Sequence, residues 1–147
     1  MNDHYFMGLA QGVSLQSKDP STKVGAVAVR GGKILGTGFN RFPPGHPDHP
    51  AMYADRAYKY AHILHAEKVA RVGLTYVEML GATMYTNFPP CPDCAREMID
   101  DGFSRFVFAP IVREGRDASW LAEWDARFEE MLGIASDNLV TVSIIHV

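Results

Sequence analysis

Ala82-Thr83-Met84-Tyr85-Thr86, then Pro89-Pro90, then Cys91-Pro92-Asp93-Cys94, changes from a strand pattern to a helix start within a few residues. The alternating β-favouring residues predict an extended segment over 82–86, and the proline pair closes it. Pro92 suits a first helical turn, where a missing N–H removes no bond. The helix predicted over 94–101 stops at Gly102, and Phe106-Val107-Phe108-Ala109 is the next strand, stopped at Pro110. Strand, helix, strand in that order makes a parallel pair with a covering helix.

The same reading extends outward to both ends. Phe6, Leu9, Ala10 and Val13 recur at helical spacing over 3 to about 17, with Asp3 placed to cap the first turn. Runs 24–29 and 34–39 flank Gly31-Gly32, whose freedom at positive φ suits a hairpin. Residues 40 to about 55 hold Pro43, Pro44, Pro47 and Pro50 and are expected to be a long surface loop. A helix is predicted over 58–72, ending at Gly73. Beyond the fourth strand, Trp120, Leu121, Trp124, Phe128, Met131 and Leu132 form one helical stripe, with Glu123 and Arg127 paired on another face, and 139–145 is a last strand. The order α-β-β-α-β-α-β-α-β predicts an α/β fold, a mixed five-stranded sheet covered on both faces. We expect a single domain over 1–147.

Composition narrows the function classes. Hydrophobic residues at 47% and charged residues at 21% exclude a disordered chain, and no apolar run approaches the roughly 18 residues of a membrane span. The N-terminal Met1-Asn2-Asp3-His4-Tyr5 lacks the basic-then-apolar pattern of an export signal, so a cytoplasmic location is expected. With 14 Lys+Arg against 17 Asp+Glu, the net charge of −3 leaves no basic footprint for a long nucleic acid. A small-molecule partner is expected instead.

The chemistry sits in two short motifs, His65-Ala66-Glu67 and Pro90-Cys91-Pro92-Asp93-Cys94. One imidazole and two thiols suit Zn²⁺, and three protein ligands leave a tetrahedral ion one open position, the catalytic pattern. Cys91 and Cys94 stand roughly 60° apart around a helix, on one face. The positive end of that helix favours thiolates. His65 and Glu67 would be roughly 200° apart on a regular helix, so they converge only at a helix end, His65 as ligand and Glu67 as the neighbour that reaches a water on the ion. Two thiolates cancel the charge of the ion, and a partner base is then useful; Glu67 fills that role.

His65-Ala66-Glu67 followed by Pro90-Cys91-x-x-Cys94 resembles the zinc-dependent cytidine deaminase superfamily. The wider match, Ser17-Lys18-Asp19-Pro20-Ser21-Thr22-Lys23-Val24-Gly25-Ala26-Val27-Ala28-Val29, Gly38-Phe39-Asn40-Arg41-Phe42-Pro43-Pro44-Gly45 and Gly81-Ala82-Thr83-Met84-Tyr85-Thr86, is similar to its deoxycytidylate deaminase branch and covers roughly residues 1 to 110. The resemblance implies a three-layer α/β/α cytidine-deaminase-like fold, with zinc on His65, Cys91 and Cys94 and Glu67 as proton shuttle. It implies that the Ala66 N–H holds the pyrimidine carbonyl and that Asn40 bonds the sugar. Phe88 and Pro89, just before Pro90, are expected to line the base pocket. The implied reaction is hydrolytic deamination of a cytosine nucleotide, dCMP to dUMP and ammonia; the implied assembly is a homo-oligomer, a dimer or a hexamer.

Other readings stand beside this one. A deaminase of another nucleoside, a free base or tRNA adenosine would share the chemistry, and a zinc-stabilised binding module would share the ligands but has no use for Glu67. A thioredoxin-like redox pair would leave His65-Ala66-Glu67 unexplained. His46, Asp48 and His49 are either a second metal site or, as the surrounding prolines favour, solvated loop residues. His62 is expected to pack rather than ligate. Trp120, Trp124 and Phe128 are expected to form a core or subunit-contact face rather than a stacking platform. Lys23, Arg41, Arg56 and Lys59 are all candidates for a substrate phosphate, and the sequence does not choose among them.

Overall fold

The computed structural model describes residues 2–147; Met1, where the domain expected over 1–147 begins, lies outside the described residues. The hairpin forms as expected. β1 (Gly25–Arg30) pairs antiparallel with β2 (Lys33–Phe39), and the turn places Gly31 and Gly32 at φ 59° and 77°, values that side chains with a Cβ disfavour. β3 (Thr83–Thr86) pairs antiparallel with β1, and β4 (Arg105–Phe108) and β5 (Thr141–Ile144) follow in parallel, giving the sheet order β2-β1-β3-β4-β5. The two parallel junctions are crossed by α6 (Pro92–Asp100) and α7 (Ala118–Asp137).

Strand alternation sorts the core onto two faces. Val27, Val29, Tyr85 and Val107 pack against Phe6, Met7 and Ala10 of α1 (Asp3–Ser14). On the other face Ala26, Ala28, Met84, Phe106 and Phe108 meet residues of four further helices, among them Ala66, Met79, Met98 and Met131. The sheet is therefore covered on both sides, the mixed five-stranded α/β arrangement expected. No described helix is long and apolar enough to cross a membrane.

Four local expectations change. Asn2, not Asp3, caps α1, its side chain accepting the Tyr5 N–H at 3.0 Å. Asp3 already stands inside the helix, and its carboxylate takes two bonds from Arg105, at 2.9 and 2.6 Å, and one from the Tyr85 hydroxyl at 2.7 Å. The 40–55 loop contains a helix, α2 (Pro50–Ala54), started by Pro50. The single helix predicted over 58–72 is two, α3 (Arg56–His62) and α4 (Ala66–Ala70). Between them Leu64 exchanges backbone bonds with Arg41, at 3.1 and 2.7 Å, an extended bridge that displaces helical bonding. A further helix, α5 (Tyr76–Met79), follows Thr75, whose side chain and Glu78 make a reciprocal capping box.

Two glycines set how close α4 comes to the sheet. A Cβ on Gly38 would stand 2.5 Å from the Ala70 nitrogen and 2.6 Å from the Ala66 oxygen; one on Gly36 would stand 2.3 Å from the Ala70 oxygen. These obstacles are backbone, so only movement of the helix relieves them. Gly38→Ala is therefore expected to lower stability by about 2 kcal/mol, read as a denaturant midpoint, and to weaken zinc retention because His65 moves with α4. Asp3 offers a second test. The Arg105 guanidinium, with help from Tyr85, holds its carboxyl below the ordinary 3.8. A depressed acid stabilises the fold above its unfolded value and stops doing so as the pH falls through its folded one. Asp3→Asn should thus cost about 1 kcal/mol at neutral pH, with the difference from the parent closing below pH 3.8 in acid-unfolding curves.

Candidate active site

The break between α3 and α4 resolves the angular conflict between His65 and Glu67. His65 lies outside the helix, as the N-cap of α4 with extended backbone (φ −72°, ψ 151°), and Glu67 is in the first turn. Cys91 stands in the same relation to α6, an N-cap at φ −74° and ψ 162° whose sulfur accepts the Cys94 N–H at 3.4 Å. The two helix starts face each other. Arg71, at the end of α4, fixes their relation: it bonds Glu97 at 3.0 Å and also Asp101 on α6, and its Nε donates to the Glu67 carbonyl at 3.1 Å.

His65 Nδ1 lies 3.3 Å from Cys94 Sγ and 3.5 Å from Cys91 Sγ, and the three donor atoms fall within 4.8 Å of one another. It is the one such cluster of three among the described residues. Donors around a tetrahedral zinc ion, with bonds of roughly 2.0 to 2.3 Å, are spaced by about 3.6 Å, so this donor set fits the ion. The proton chemistry agrees. Cys94 and the His65 ring donate toward Cys91 and draw its thiol down to about 4. The same contact, with burial, pushes Cys94 up, and Cys91 raises His65. Sulfurs and an imidazole that share protons at such distances form a pocket that a divalent cation can occupy in the protons' place.

Glu67 is 4% exposed. Burial pushes its carboxyl up to about 7, against the pull of the His65 charge and with the Cys91 charge adding to the rise. It opens onto a cleft of about 570 Å³, mouth included, whose metal end is formed by His65, Ala66, Glu67 and Cys91. Phe88 and Pro89 line it, as expected, and so does Asn40, which is buried. The Asn40 side chain is already engaged: Oδ1 accepts the Val24 N–H at 2.9 Å, and Nδ2 donates to Thr22 O at 2.8 Å and to Asp19 Oδ2 at 3.3 Å. Trp120 and Trp124 also form the wall, edge-on to Phe88 with centroids 6.3 and 4.9 Å away. Trp124 also packs against the core, as do Phe128, which meets Phe108 edge-on, and Leu132, the core face expected. The Trp124 indole N–H is buried without a partner.

Asp19, which no sequence motif marks as functional, is fully buried at the cleft and pairs with Lys59 at 2.6 Å. Its signal was weak, since an acid before proline reads as an ordinary turn. Of the cations weighed for a phosphate, Lys59 is thus neutralised, Arg56 is paired with Glu123 at 2.6 Å, and Lys23 and Arg41 donate to the Ser17 and Phe42 carbonyls. His49 is exposed, as expected of a loop residue, whereas His46 is half-buried: its ring meets the Tyr58 hydroxyl at 2.6 Å and Pro47 O at 2.7 Å and packs on Phe42. His46, Asp48 and His49 do not converge as donors. His62 stacks on Tyr58 at 4.1 Å, the packing role expected.

The family model for the cytidine and deoxycytidylate deaminase zinc-binding region matches residues 1–110. The chain belongs to this family. A relative in Aliivibrio fischeri, described as a deaminase of the luxG 3′ region, is 35% identical over 124 residues, 84% of this chain and 80% of its own length. Human deoxycytidylate deaminase is 34% identical over 110 residues, 71% of this chain; the match spans 62% of the human protein. The crystal structure of the dCMP deaminase of cyanophage S-TIM5 in complex with dCMP and dUMP has the same fold, with a TM-score of 0.73 over 97% of this chain and 95% of that one at 23% identity.

Zinc is the metal of this family, and His65, Cys91 and Cys94 are placed to hold it. Metal analysis of Cys94→Ala is expected to show well under half of the roughly one zinc per chain of the parent, and a chelator should lower the melting temperature of the parent more than that of the variant.

Proposed function

We propose that the chain hydrolytically deaminates a cytosine nucleotide, dCMP, to dUMP and ammonia, acting on free nucleotide in the cytoplasm. The observation that carries this reading is a buried carboxyl, Glu67, sharing one cleft with the three-donor cluster of His65, Cys91 and Cys94. A structural metal site needs no such acid. Zinc, when bound, supplies a Lewis acid that makes water acidic near neutral pH.

The residues of the chain do the remaining work. Glu67 takes a proton as the oxygen of water bonds to C4 of the cytosine ring, and delivers it to N3. It then carries the second water proton to the exocyclic amine, the C4–N bond breaks, and ammonia leaves with a carbonyl formed at C4. An acid raised to about 7 both accepts and returns a proton at neutral pH. Ala66, fully buried in the first turn of α4, has a backbone N–H with no carbonyl one turn earlier to bond, and offers it to the pyrimidine carbonyl. Phe88 and Pro89 flank the base, with the indoles of Trp120 and Trp124 closing the far side. Asn40 meets the sugar through the amide N–H that now makes the long bond to Asp19. The assembly is read as a homo-oligomer, dimer or hexamer. Trp120, only 9% exposed and turned to the cleft, offers little surface to such a contact.

Glu67→Gln keeps the size of the side chain and removes the proton carrier. It is expected to retain zinc while slowing ammonia release from dCMP by about 10³-fold or more. Parent protein assayed side by side on dCMP, deoxycytidine, cytosine and guanine should prefer dCMP; full turnover by the variant, or preference for a free base, contradicts the proposal.

A further inference from the structure

A nucleotide carries a phosphate, and the cations first considered for it are occupied. Around the cleft Lys59 is held by Asp19, and Arg56 and Arg127 share Glu123 at 2.6 and 3.0 Å. Arg113 is bound twice by Asp125, at 2.9 and 3.0 Å. Arg116 differs. Like Lys23 and Arg41, which donate to carbonyls, it has no carboxylate partner among the described residues, but unlike them it stands against two residues that line the cleft, Thr22 and Trp120. Neighbouring Asp117 is committed to α7, where its oxygen accepts the Trp120 N–H at 2.8 Å.

The Arg116 guanidinium is nevertheless fixed in place. It donates to Ser21 Oγ at 3.1 Å, to Ser21 O at 3.1 Å and to Thr22 Oγ1 at 2.8 Å, and it stands 4.1 Å from the centre of the Trp120 ring. Thr22 and Trp120 both line the cleft, so the cation sits on its rim. Three of its five N–H groups are used and two remain. The Ser21 and Thr22 hydroxyls accept from Arg116 and keep their own hydrogens to give. Their loop is itself rigid, because Asp19 Oδ1 accepts the Ser21 and Thr22 N–H groups at 2.9 and 3.3 Å. Asn40, proposed to meet the sugar, donates to the Thr22 carbonyl of the same loop at 2.8 Å. Donors without a counter-charge, preorganised one loop away from the sugar position, are what a phosphate dianion requires.

We propose that Arg116, with the hydroxyls of Ser21 and Thr22, forms the site for the 5′-phosphate of the substrate and makes the cleft selective for nucleoside monophosphates over nucleosides. This inference rests on the nucleotide reading above. It also places the cation of that site outside the family-matched residues 1–110, and its two hydroxyls within them.

The test is calorimetric binding of dUMP and of deoxyuridine to the zinc-loaded protein, in the parent, Arg116→Gln and Arg116→Lys, with zinc content and melting temperature as controls of folding. The parent should prefer dUMP strongly. Arg116→Gln should shrink that preference by about 30-fold, and Arg116→Lys, which keeps the charge but not the fork, by less. If the parent binds neither compound, the deaminase reading fails and this inference with it. If the parent discriminates and Arg116→Gln discriminates equally well, or loses both ligands in the same proportion, the assignment of Arg116 alone is overturned.

Discussion

Two helices must begin at nearly the same point in space, and most of the surrounding structure follows from that requirement. α4 and α6 each start with a ligand as N-cap, so His65, Cys91 and Cys94 converge where the backbone N–H groups of both first turns also point. α4 has only five residues and cannot hold its own position. The bare backbones of Gly36 and Gly38 let it sink onto β2, and Arg71 ties its far end to α6. The parallel pair β3–β4 sets the start of α6, since the strand ends at Thr86 and the helix must cross back to Arg105. Sheet register and metal geometry are therefore one constraint.

The same convergence shapes the electrostatics. Burial alone moves Glu67 into the range where it exchanges protons at neutral pH, and the ligand charges on either side act in opposite senses and leave the effect of burial in place. Further along the cleft, Asp19 gathers Lys59, Asn40 and the loop over 19–22 into one network. An ion pair with a fully buried carboxylate and a largely buried lysine contributes definition of position more than stability. It ties the middle of the cleft to the loop on one side and to α3 on the other.

Much of this was legible because it is local. The hairpin glycines, the proline pair, the strand alternation and the His65-Ala66-Glu67 and Cys91-Pro92-Asp93-Cys94 motifs are short-range signals, and even the conflict between His65 and Glu67 on one helix pointed to a helix end. What was not legible depends on partners distant in the chain. Leu64 breaks the helix because Arg41 bonds it, and nothing within 58–72 announces Arg41. Asn2 and Asp3 are both able to cap, and Arg105 decides between them by engaging Asp3. Trp120 and Trp124 carry the same spacing whether they face a core or a cleft, and only the position of Phe88 tells the two apart. Thr75 and Glu78 are the exception: their capping box is a local signal, overlooked because the helix it starts has only four residues.

The last wall of the cleft comes from α7, a long helix downstream of the residues that carry the metal and the acid. Part of the cleft wall, Trp120 and Trp124, is thus written on a separate stretch of polypeptide from the metal donors and the acid. A chimera that exchanges only the C-terminal third would reshape that one wall while the metal donors, Glu67 and the side of the cleft formed by Asn40 and Phe88 stay as they are.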